Sequence, residues 1–478
     1  MTRLKLGKHG GGKTKGGLVN SGPVKDRLVK DRLVNGGLIN GGLINGGLVN
    51  DRLVNGGLVN VDQINGKQSN DAALDDSQLR KKFRWAIFCK VIDNFGDAGV
   101  CWRLAQQLAG QYGFKVDLFI DQVNIIGPFG RYTGYEAYDA SELQVQPWPN
   151  AGDADPVTNK ALHPLSLTPS QTQTQLSTAH FQSKLPADYD VIVAAFASVL
   201  PASWLDLMAG RRERSWFNLE YLSAEPWVAQ CHLLNSIKPI SGACETFFFP
   251  GFETGTGGLL REPWIKTREL APVVTENAKN VNNLTISIFC YENAPVQQLL
   301  DQLEGRTVTI KLASSGWTFS PVLSVNTTLT VENLPFLSQD EYDQLLARCD
   351  LNFVRGEDSL VRAIWAAKPF VWQLYEQDEN AHIVKLEAFL ATYCAPSNNE
   401  LKTLITSIFC WWNQIEVADQ KLTAELSAFS INNAAHQLPA WALHAAKLCD
   451  ALGQKQDLCS ALVDSSGIIE GFANRIND

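Results

Sequence analysis

Residues 355–359 (RGEDS) place a guanidinium, a glycine and two carboxylates in one short turn. An apolar run precedes this turn at 351–354, and a segment with helical spacing follows it and stops at Lys368-Pro369. A second apolar run begins at Phe370, so the order strand, turn, helix, strand predicts a βαβ unit. In open parallel sheets, ligands bind at the carboxyl ends of strands and against helix N-termini. The turn is therefore predicted to be a ligand site.

The residue types of this turn allow two interpretations, a ligand site and a helix cap. Arg355 beside a helix N-terminus can pair with a phosphate. The carboxylates of Glu357 and Asp358 would repel a diphosphate, but they suit sugar or ribose hydroxyls or an incoming cation. Helix capping by Asp358 or Ser359 explains the same residues without any ligand. The residues of the turn leave both interpretations open.

A second acidic turn, residues 93–99 (DNFGDAG), follows the apolar run that starts at Trp85. Asp93 and Asp97 lie four residues apart in it, and a carboxylate at the end of a strand can act as a general base. The alternative is structural, with Asp93 capping the next helix and Asp97 in solvent.

Four aromatic residues are candidates for a nucleotide pocket, because aromatic rings can stack on a nucleobase or close over a ribose. They are Phe289, Tyr291, Phe336 and Tyr342. Packing in the hydrophobic core is the default explanation for each of them.

Two βαβ patterns in separate halves predict an α/β protein with two Rossmann-like domains that face a cleft. We predict an N-terminal domain at 81–275 with a polar insertion at 149–184, and a C-terminal domain at 276–478 that ends in helices. Residues 16–65 form ten pentads, five of which begin with Gly-Gly. Ordering such a backbone is costly, so residues 1–80 are predicted to be a disordered extension.

Composition excludes several classes of protein. The 478 residues carry a formal net charge of −9, which argues against nucleic-acid binding through bulk electrostatics. Ten cysteines without a C-x-x-C pair or a Cys/His cluster predict a reduced, cytoplasmic protein without a metal or other cofactor. The most apolar run, 191–200, is too short to span a bilayer, and no membrane association is expected.

Five segments in this order closely resemble the elongation factor P arginine rhamnosyltransferase family, EarP. The segments are IFCKVIDNFGDAGVCWRLAQQLA, WFNLEYLSAEPWV, FFFPGFETGTGGLLRE, FCYEN and FVRGEDSLVRAIWAAKPFVWQLY. The resemblance runs from about Trp85 to the C-terminus with an interruption at 149–184, and it does not include residues 1–80.

The resemblance implies a GT-B fold, in which the N-terminal domain docks the acceptor protein and the C-terminal domain binds the nucleotide sugar. It implies transfer of rhamnose from dTDP-β-L-rhamnose to one arginine of elongation factor P, with inversion and without a metal. Aligned on the family motifs, Asp97 is the catalytic base and Glu357 the second catalytic residue. The implied substrate-binding residues are Asp93, Asn94, Phe95, Gly96, Asp97, Phe289, Tyr291, Phe336, Gln339, Tyr342, Arg355, Gly356, Glu357, Asp358 and Ser359.

One family motif is altered in this chain. Family members usually show an E-A-F-x-C-E-L-P pattern where this sequence has residues 194–201, AAFASVLP. Ala194, Ser198 and Val199 thus replace two carboxylates and a cysteine. We expect the change to affect the local acceptor surface more than the activity.

Two other functions compete with this prediction. One is a GT-B transferase that uses another nucleotide sugar or acceptor, and the other is a protein that binds elongation factor P without modifying it. Intact Asp97 and Glu357 favour an enzyme.

Overall fold

The structure is a computed structural model that describes residues 83–92, 95–131, 142–148, 189–201, 204–205, 215–238, 242–266, 284–303, 307–313, 319–323, 328–415 and 431–468. The predicted extension at 1–80 and the polar insertion at 149–184 lie outside these residues, as do Asp93 and Asn94.

A seven-stranded sheet forms the first layer, in the order β3-β2-β1-β4-β5-β7-β6. Its neighbouring strands are parallel except β6 and β7. The inner strands are almost wholly apolar and buried, as expected of a parallel sheet covered on both faces. The strands are β1 (Arg84–Cys89), β2 (Lys115–Ile120), β3 (Leu143–Pro147), β4 (Val191–Ala195), β5 (Ser215–Leu219), β6 (Asn235–Ile237) and β7 (Cys244–Phe248).

The helix that positions the N-terminal side of the site is α1 (Gly96–Tyr112), which connects β1 to β2. Its end is set by Gly113, which has φ of +66° and whose N–H donates to the Ala109 carbonyl at 3.0 Å. Short 3-10 turns follow at Val123–Ile125 and Gly127–Phe129, and a short helix α2 (Val228–Cys231) precedes β6. The predicted β1–α1–β2 unit is confirmed.

A second sheet has five parallel strands in the order β10-β9-β8-β11-β12. Its strands are β8 (Leu284–Ile288), β9 (Val308–Leu312), β10 (Leu329–Asn333), β11 (Leu351–Arg355) and β12 (Phe370–Gln373). The connecting helices are α3 (Val296–Gln302), α4 (Gln339–Arg348) and α5 (Gly356–Trp365). The predicted unit around the RGEDS turn is confirmed as β11–α5–β12.

The remaining helices are α6 (Ala381–Tyr393), α7 (Asn399–Trp412), α8 (Ile431–Gly453) and α9 (Leu458–Ser465), with 3-10 turns at Pro263–Lys266 and Asp378–Asn380. The last helix returns to the first sheet, because Leu458, Leu462 and Val463 belong to the same core cluster as β1 and α1. We call residues 83–266 together with α9 the N-terminal lobe, and residues 284–453 the C-terminal lobe. The predicted boundary at 275/276 falls between described segments and stays a prediction.

In both sheets the first strand of the lobe lies inside the sheet and the order of the strands reverses beside it, which is the Rossmann-like arrangement. Two such sheets give the predicted GT-B fold. The described part of the chain contains no helix long and apolar enough to cross a membrane.

Candidate active site

A cavity lies between the two lobes and contains about 710 Å³ of space unoccupied by atoms, including its opening to solvent. Residues from both lobes line it: Phe95, Gly96, Arg103, Phe129, Phe289, Tyr291, Ala313, Phe336, Leu337, Gln339, Tyr342, Arg355, Gly356, Glu357, Asp358 and Ser359.

Arg355 is the last residue of β11 and the N-cap residue of α5, and it lines the cavity together with residues 356–359 of that helix. The guanidinium carbon is 4.4 Å from the ring centre of Phe289 and 4.7 Å from that of Tyr291. Nη1 also donates to the Cys290 carbonyl at 3.1 Å. The aromatic rings and the carbonyl therefore fix a buried cation where an anion would meet the helix dipole.

Gly356 makes the sharp change of direction from strand to helix. Its φ is +64°, which is a conformation that favours glycine. Its carbonyl accepts a hydrogen bond from Trp372 Nε1 at 2.8 Å, which ties the turn to β12. The predicted turn thus continues from β11 and is hydrogen-bonded to β12. The next three residues, 357–359, lie in the first turn of α5.

Glu357 connects the lobes. One of its oxygens accepts the backbone N–H of Leu222 at 2.7 Å, and the other forms an ion pair with Lys385. Leu222 follows β5 in the N-terminal lobe, whereas Lys385 lies on α6. The carboxylate is therefore held in one orientation by a cation and a backbone donor.

Asp358 belongs to a charged network between the lobes that we call the interlobe network. It comprises Arg103, Glu262, Asp343, Asp358 and Arg362. Arg103 Nε is 2.9 Å from Asp358 Oδ1, and Arg362 binds Asp343 and Glu262 at 2.6 and 2.7 Å. Burial raises the pKa of the Asp358 carboxyl, while the charges of Arg103 and Arg362 oppose that rise.

Gln339 crosses the cleft at the start of α4. Its side-chain N–H donates to the Gly99 carbonyl of α1 at 3.0 Å, while its Oε1 is buried without a hydrogen-bond partner among the described residues. Gly99 lies at a close approach between the lobes, because a Cβ there would be 3.3 Å from Asp358 Oδ2. The buried Gln339 oxygen is an acceptor that a donor group of a ligand can satisfy.

The aromatic candidates line the cavity in two groups. Phe289 and Tyr342 pack edge to face with ring centres 5.6 Å apart, and burial raises the pKa of the Tyr342 hydroxyl. Phe336 is 38% exposed and lies 5.1 Å from Phe95, so these two rings meet across the opening from different lobes. Ser359 also lines the cavity.

Asp97 is in the first turn of α1 but is not among the residues that line the cavity. It is 4% exposed, and its Oδ2 accepts the backbone N–H of Ile92 at 3.0 Å. Its neighbours Phe95 and Gly96 do reach the cavity. The catalytic role of Asp97 stays a prediction. The structure shows a hydrogen-bonded carboxylate that follows the cavity-lining residue Gly96 in the chain but does not itself line the cavity.

The structure adds residues that sequence reasoning missed, notably Arg103, Phe129 and Lys385. Arg103 stands alone as a charge within an apolar helical segment, CWRLA, which is a signal for a buried, paired cation. Phe129 and Lys385 have no such signal, because they reach the site from distant segments.

The altered family motif lies on β4 and the loop after it. Ala194 is buried within β4, while Val199 is exposed. The Ser198 hydroxyl accepts the backbone N–H of Lys90 at 2.8 Å and so holds the chain that leaves β1. Among the described residues, no group of three or more His, Cys, Asp or Glu is placed to hold a metal ion.

Comparisons with known proteins agree on one family. The sequence model described as "Elongation-Factor P (EF-P) rhamnosyltransferase EarP" matches residues 85–162 and 158–466. The chain is 38% identical to the protein-arginine rhamnosyltransferase of Pseudomonas putida over 365 residues, which cover 70% of this chain and 87% of that protein. The protein of the same name from Pseudomonas aeruginosa is 34% identical over 411 residues, or 79% of this chain and 97% of its own length.

A similar solved structure is described as "Structural basis for EarP-mediated arginine glycosylation of translation elongation factor EF-P". It aligns with a TM-score of 0.46 at 24% identity, covering 80% of this chain and 98% of its own. The spinosyn forosaminyltransferase SpnP aligns with a TM-score of 0.41 at 12% identity, covering 82% of this chain and 100% of its own.

The family match begins at the start of β1 and continues to the end of α9, so it includes both lobes and every cavity residue. The family and the enzyme class predicted from the sequence motifs are thereby confirmed. This chain belongs to the EarP family of elongation factor P rhamnosyltransferases.

Proposed function

We propose that this protein transfers rhamnose from dTDP-β-L-rhamnose to an arginine side chain of elongation factor P and inverts the anomeric centre. One observation carries the donor part of the proposal. The guanidinium of Arg355, the N-cap residue of α5, is fixed on two aromatic rings, and the cavity that Arg355 lines with the first turn of α5 is formed by both lobes. A diphosphate requires a cation and free backbone N–H groups, and this turn offers both.

The donor would lie along the C-terminal lobe. Its diphosphate would face Arg355 and the first N–H groups of α5, which would stabilise the charge that develops on the leaving group. Phe289, Tyr291 and Tyr342 offer aromatic surface to the nucleoside, and the unsatisfied Gln339 oxygen offers it an acceptor. Asp358 and Glu357 would accept hydrogen bonds from hydroxyl groups of the sugar or ribose.

The reaction would be a single in-line displacement. A guanidinium nitrogen of the acceptor attacks the anomeric carbon, the bond from that carbon to the diphosphate oxygen breaks, and dTDP leaves. The attacking nitrogen loses a proton, for which we assign Asp97 as the general base because a guanidinium is a poor nucleophile until a base orients it. Glu357 would favour the positive charge that develops on the sugar.

The acceptor would reach the cavity from the N-terminal lobe, past Phe95 and Phe336. We infer that nucleic acid and membrane are not partners, as the net charge of −9 supports, and that the protein acts in the cytoplasm, where translation takes place. Its ten cysteines are all free, which agrees with a reducing compartment. No metal or other cofactor is proposed, and activity in the presence of a chelator would test this.

The direct test is mass spectrometry of elongation factor P after incubation with this protein and dTDP-rhamnose. We expect a gain of one deoxyhexose on one arginine. Tight dTDP binding without that gain would favour another sugar or acceptor. Binding of elongation factor P without modification, whichever nucleotide sugar is supplied, would favour the non-catalytic function.

The role of Asp97 can be tested against a matched neighbour. Asp97→Asn should lower kcat by about 10²- to 10⁴-fold, the usual effect of removing a general base. Asp121→Asn is the control, because Asp121 also accepts a backbone N–H of the same segment, that of Val91 at 3.0 Å. Equal rates for the two variants would show that Asp97 is not the base.

A further inference from the structure

The donor half of the cavity is not built by the C-terminal lobe alone. Arg103 reaches it from α1 of the N-terminal lobe, is 1% exposed, and lines the cavity beside Asp358. We propose that Arg103 is a positioning residue of the donor site, which fixes and neutralises the Asp358 carboxylate so that the site is complete only when α1 is docked on α5. This inference rests on the proposed use of Asp358 in donor binding.

The contacts of Arg103 show how it can orient Asp358. Its Nε lies 2.9 Å from Asp358 Oδ1, while Nη1 and Nη2 donate to the two oxygens of Asp343 at 3.2 and 3.1 Å. Asp343 is itself held by Arg362, whose Nε donates to it at 3.0 Å. The bidentate contact with Asp343 therefore fixes the plane of the guanidinium, and the remaining edge faces Asp358.

The charges around Asp358 show why this contact matters for a phosphate ligand. From the elements packed against it, Asp358 faces Arg103 on α1, Asp343 and Tyr342 on α4, Glu262 before the 3-10 turn, and Arg362 on its own helix. The network thus has two guanidiniums against three carboxylates, which is a formal surplus of one negative charge. Without Arg103, the surplus negative charge would lie beside the position that we assign to the diphosphate.

The two arginines of the interlobe network are not equivalent. Arg362 pairs with Asp343 and Glu262 at 2.6 and 2.7 Å, so it holds the network together from a position outside the cavity lining. Arg103 forms the ion pair that reaches Asp358, and it alone of these two lines the cavity. Lysine cannot replace its geometry, since a single ammonium cannot offer the planar fork that binds both oxygens of Asp343.

A purely structural role for Arg103 would change stability and leave the chemistry of the donor site unaltered. A positioning role changes two further quantities. The KM for dTDP-rhamnose rises because Asp358 is no longer oriented, and the acidic limb of the kcat/KM profile moves to higher pH because Asp358 loses its nearest cation and is protonated more easily.

The experiment compares the wild-type protein with Arg103→Gln and Arg103→Lys in steady-state rhamnosylation of elongation factor P from about pH 5 to about pH 8, a range that lies above the ordinary carboxyl pKa. We expect Arg103→Gln to raise the donor KM at least about tenfold, as expected when a buried charge loses its partner, and to move the acidic limb upward. Arg103→Lys keeps the charge. Its acidic limb should therefore lie closer to that of the wild type, while its donor KM stays raised.

Arg84→Gln is the matched control. Arg84 pairs with the buried Asp117 at 3.3 Å in the same lobe but away from the cavity, so its loss should lower stability and leave the donor KM and the pH limb unchanged. If Arg103→Gln does not fold, Arg103→Lys alone decides the matter, because it retains the network charge.

A donor KM and pH limb that match the wild type in the folded Arg103 variants would overturn the inference while leaving the proposed function intact. Failure of the proposed function has another signature, in which the wild-type protein neither binds dTDP nor modifies elongation factor P. The inference would then fall with it.

Discussion

At the scale of single residues, Arg355 shows how a short turn holds a cation in the place that we propose for the diphosphate. Its charge is held over Phe289 and Tyr291 and is bonded to the Cys290 carbonyl, so few rotamers remain open to it. A cation that is already immobilised loses little side-chain entropy when a phosphate binds. The aromatic residues thus have two roles, as supports for Arg355 and as walls of the cavity.

Arg355→Lys should therefore weaken donor binding although it keeps the charge. The ammonium cannot stack as a plane on the two rings, nor can it bind a phosphate in a bidentate manner. We expect the donor KM to rise about tenfold, which corresponds to about 1.4 kcal/mol. Steady-state kinetics would measure this.

The control for that substitution is Arg348→Lys. Arg348 ends α4, and its guanidinium binds Gln344 at 3.2 Å on the surface. An increase in KM of similar size in both variants would contradict a specific role for the Arg355 guanidinium.

At the scale of elements, the two lobes are joined where the segment after β7 meets the turn between α8 and α9. Arg261 of the N-terminal lobe binds the carbonyl of Gly453, the last residue of the C-terminal lobe, and the carbonyl of Lys455 at 3.0 Å. Within the N-terminal lobe, the Leu458 N–H at the start of α9 donates to the Leu259 carbonyl at 3.0 Å. Arg261 thereby satisfies carbonyl groups at the end of α8. The crossing connects the chain just before Glu262 of the interlobe network to the helix that returns to the N-terminal lobe.

Gly258 makes this crossing possible, and alanine there should be costly. Its φ is +74°, and a Cβ would lie 2.3 Å from the backbone oxygen of Gln456. Positive φ alone costs roughly 1–2 kcal/mol for an alanine. Because the clashing atom is backbone, we expect Gly258→Ala to reduce the free energy of unfolding by more than about 2 kcal/mol, as measured by urea denaturation.

Gly113→Ala separates the steric effect from the conformational one. Gly113 has φ of +66°, but among the described residues no atom lies within 4 Å of the position that a Cβ would take there. Its substitution should cost only the conformational part, roughly 1–2 kcal/mol. Similar losses at the two glycines would show that the contact with Gln456 relaxes freely.

At the scale of the whole molecule, one histidine in each lobe makes stability depend on pH. Burial lowers the pKa of His232 and His444. His232 Nδ1 accepts the backbone N–H of Phe249 at 3.1 Å, so it must remain unprotonated for that bond to persist. The unfolded chain therefore takes up protons at a higher pH than the folded protein does.

The sign of this effect follows from the lowered pKa values. The stabilising contribution is complete above the ordinary histidine pKa of about 6.5 and is lost as the pH falls from there toward the lowered values. His232→Asn should reduce the loss of unfolding free energy between about pH 7 and about pH 5. Urea denaturation of both proteins at the two pH values would measure it, and identical pH dependence would contradict this assignment.

The local features of this protein can be predicted from its amino-acid sequence. Apolar runs bounded by charged turns predicted both βαβ units, because the burial of a parallel strand and the helical period leave local patterns. The family motifs predicted the residues of the RGEDS turn, and Phe289, Tyr291, Phe336, Gln339 and Tyr342 do lie together on one cavity. Their roles as substrate ligands remain predictions.

Ion pairs between distant side chains depend on how the helices pack, and the amino-acid sequence does not show them. Arg103 and Asp343 are 240 positions apart, and no local pattern relates them. Their ion pair exists because two helices from different lobes meet at Gly99, where the absence of a side chain lets Asp358 and Gln339 approach. The packing of α9 on the first sheet could not be predicted from the sequence either, since its apolar residues suit the core of either lobe. Hydrophobic burial is not directional, so a sequence shows that a face must be covered without showing by what.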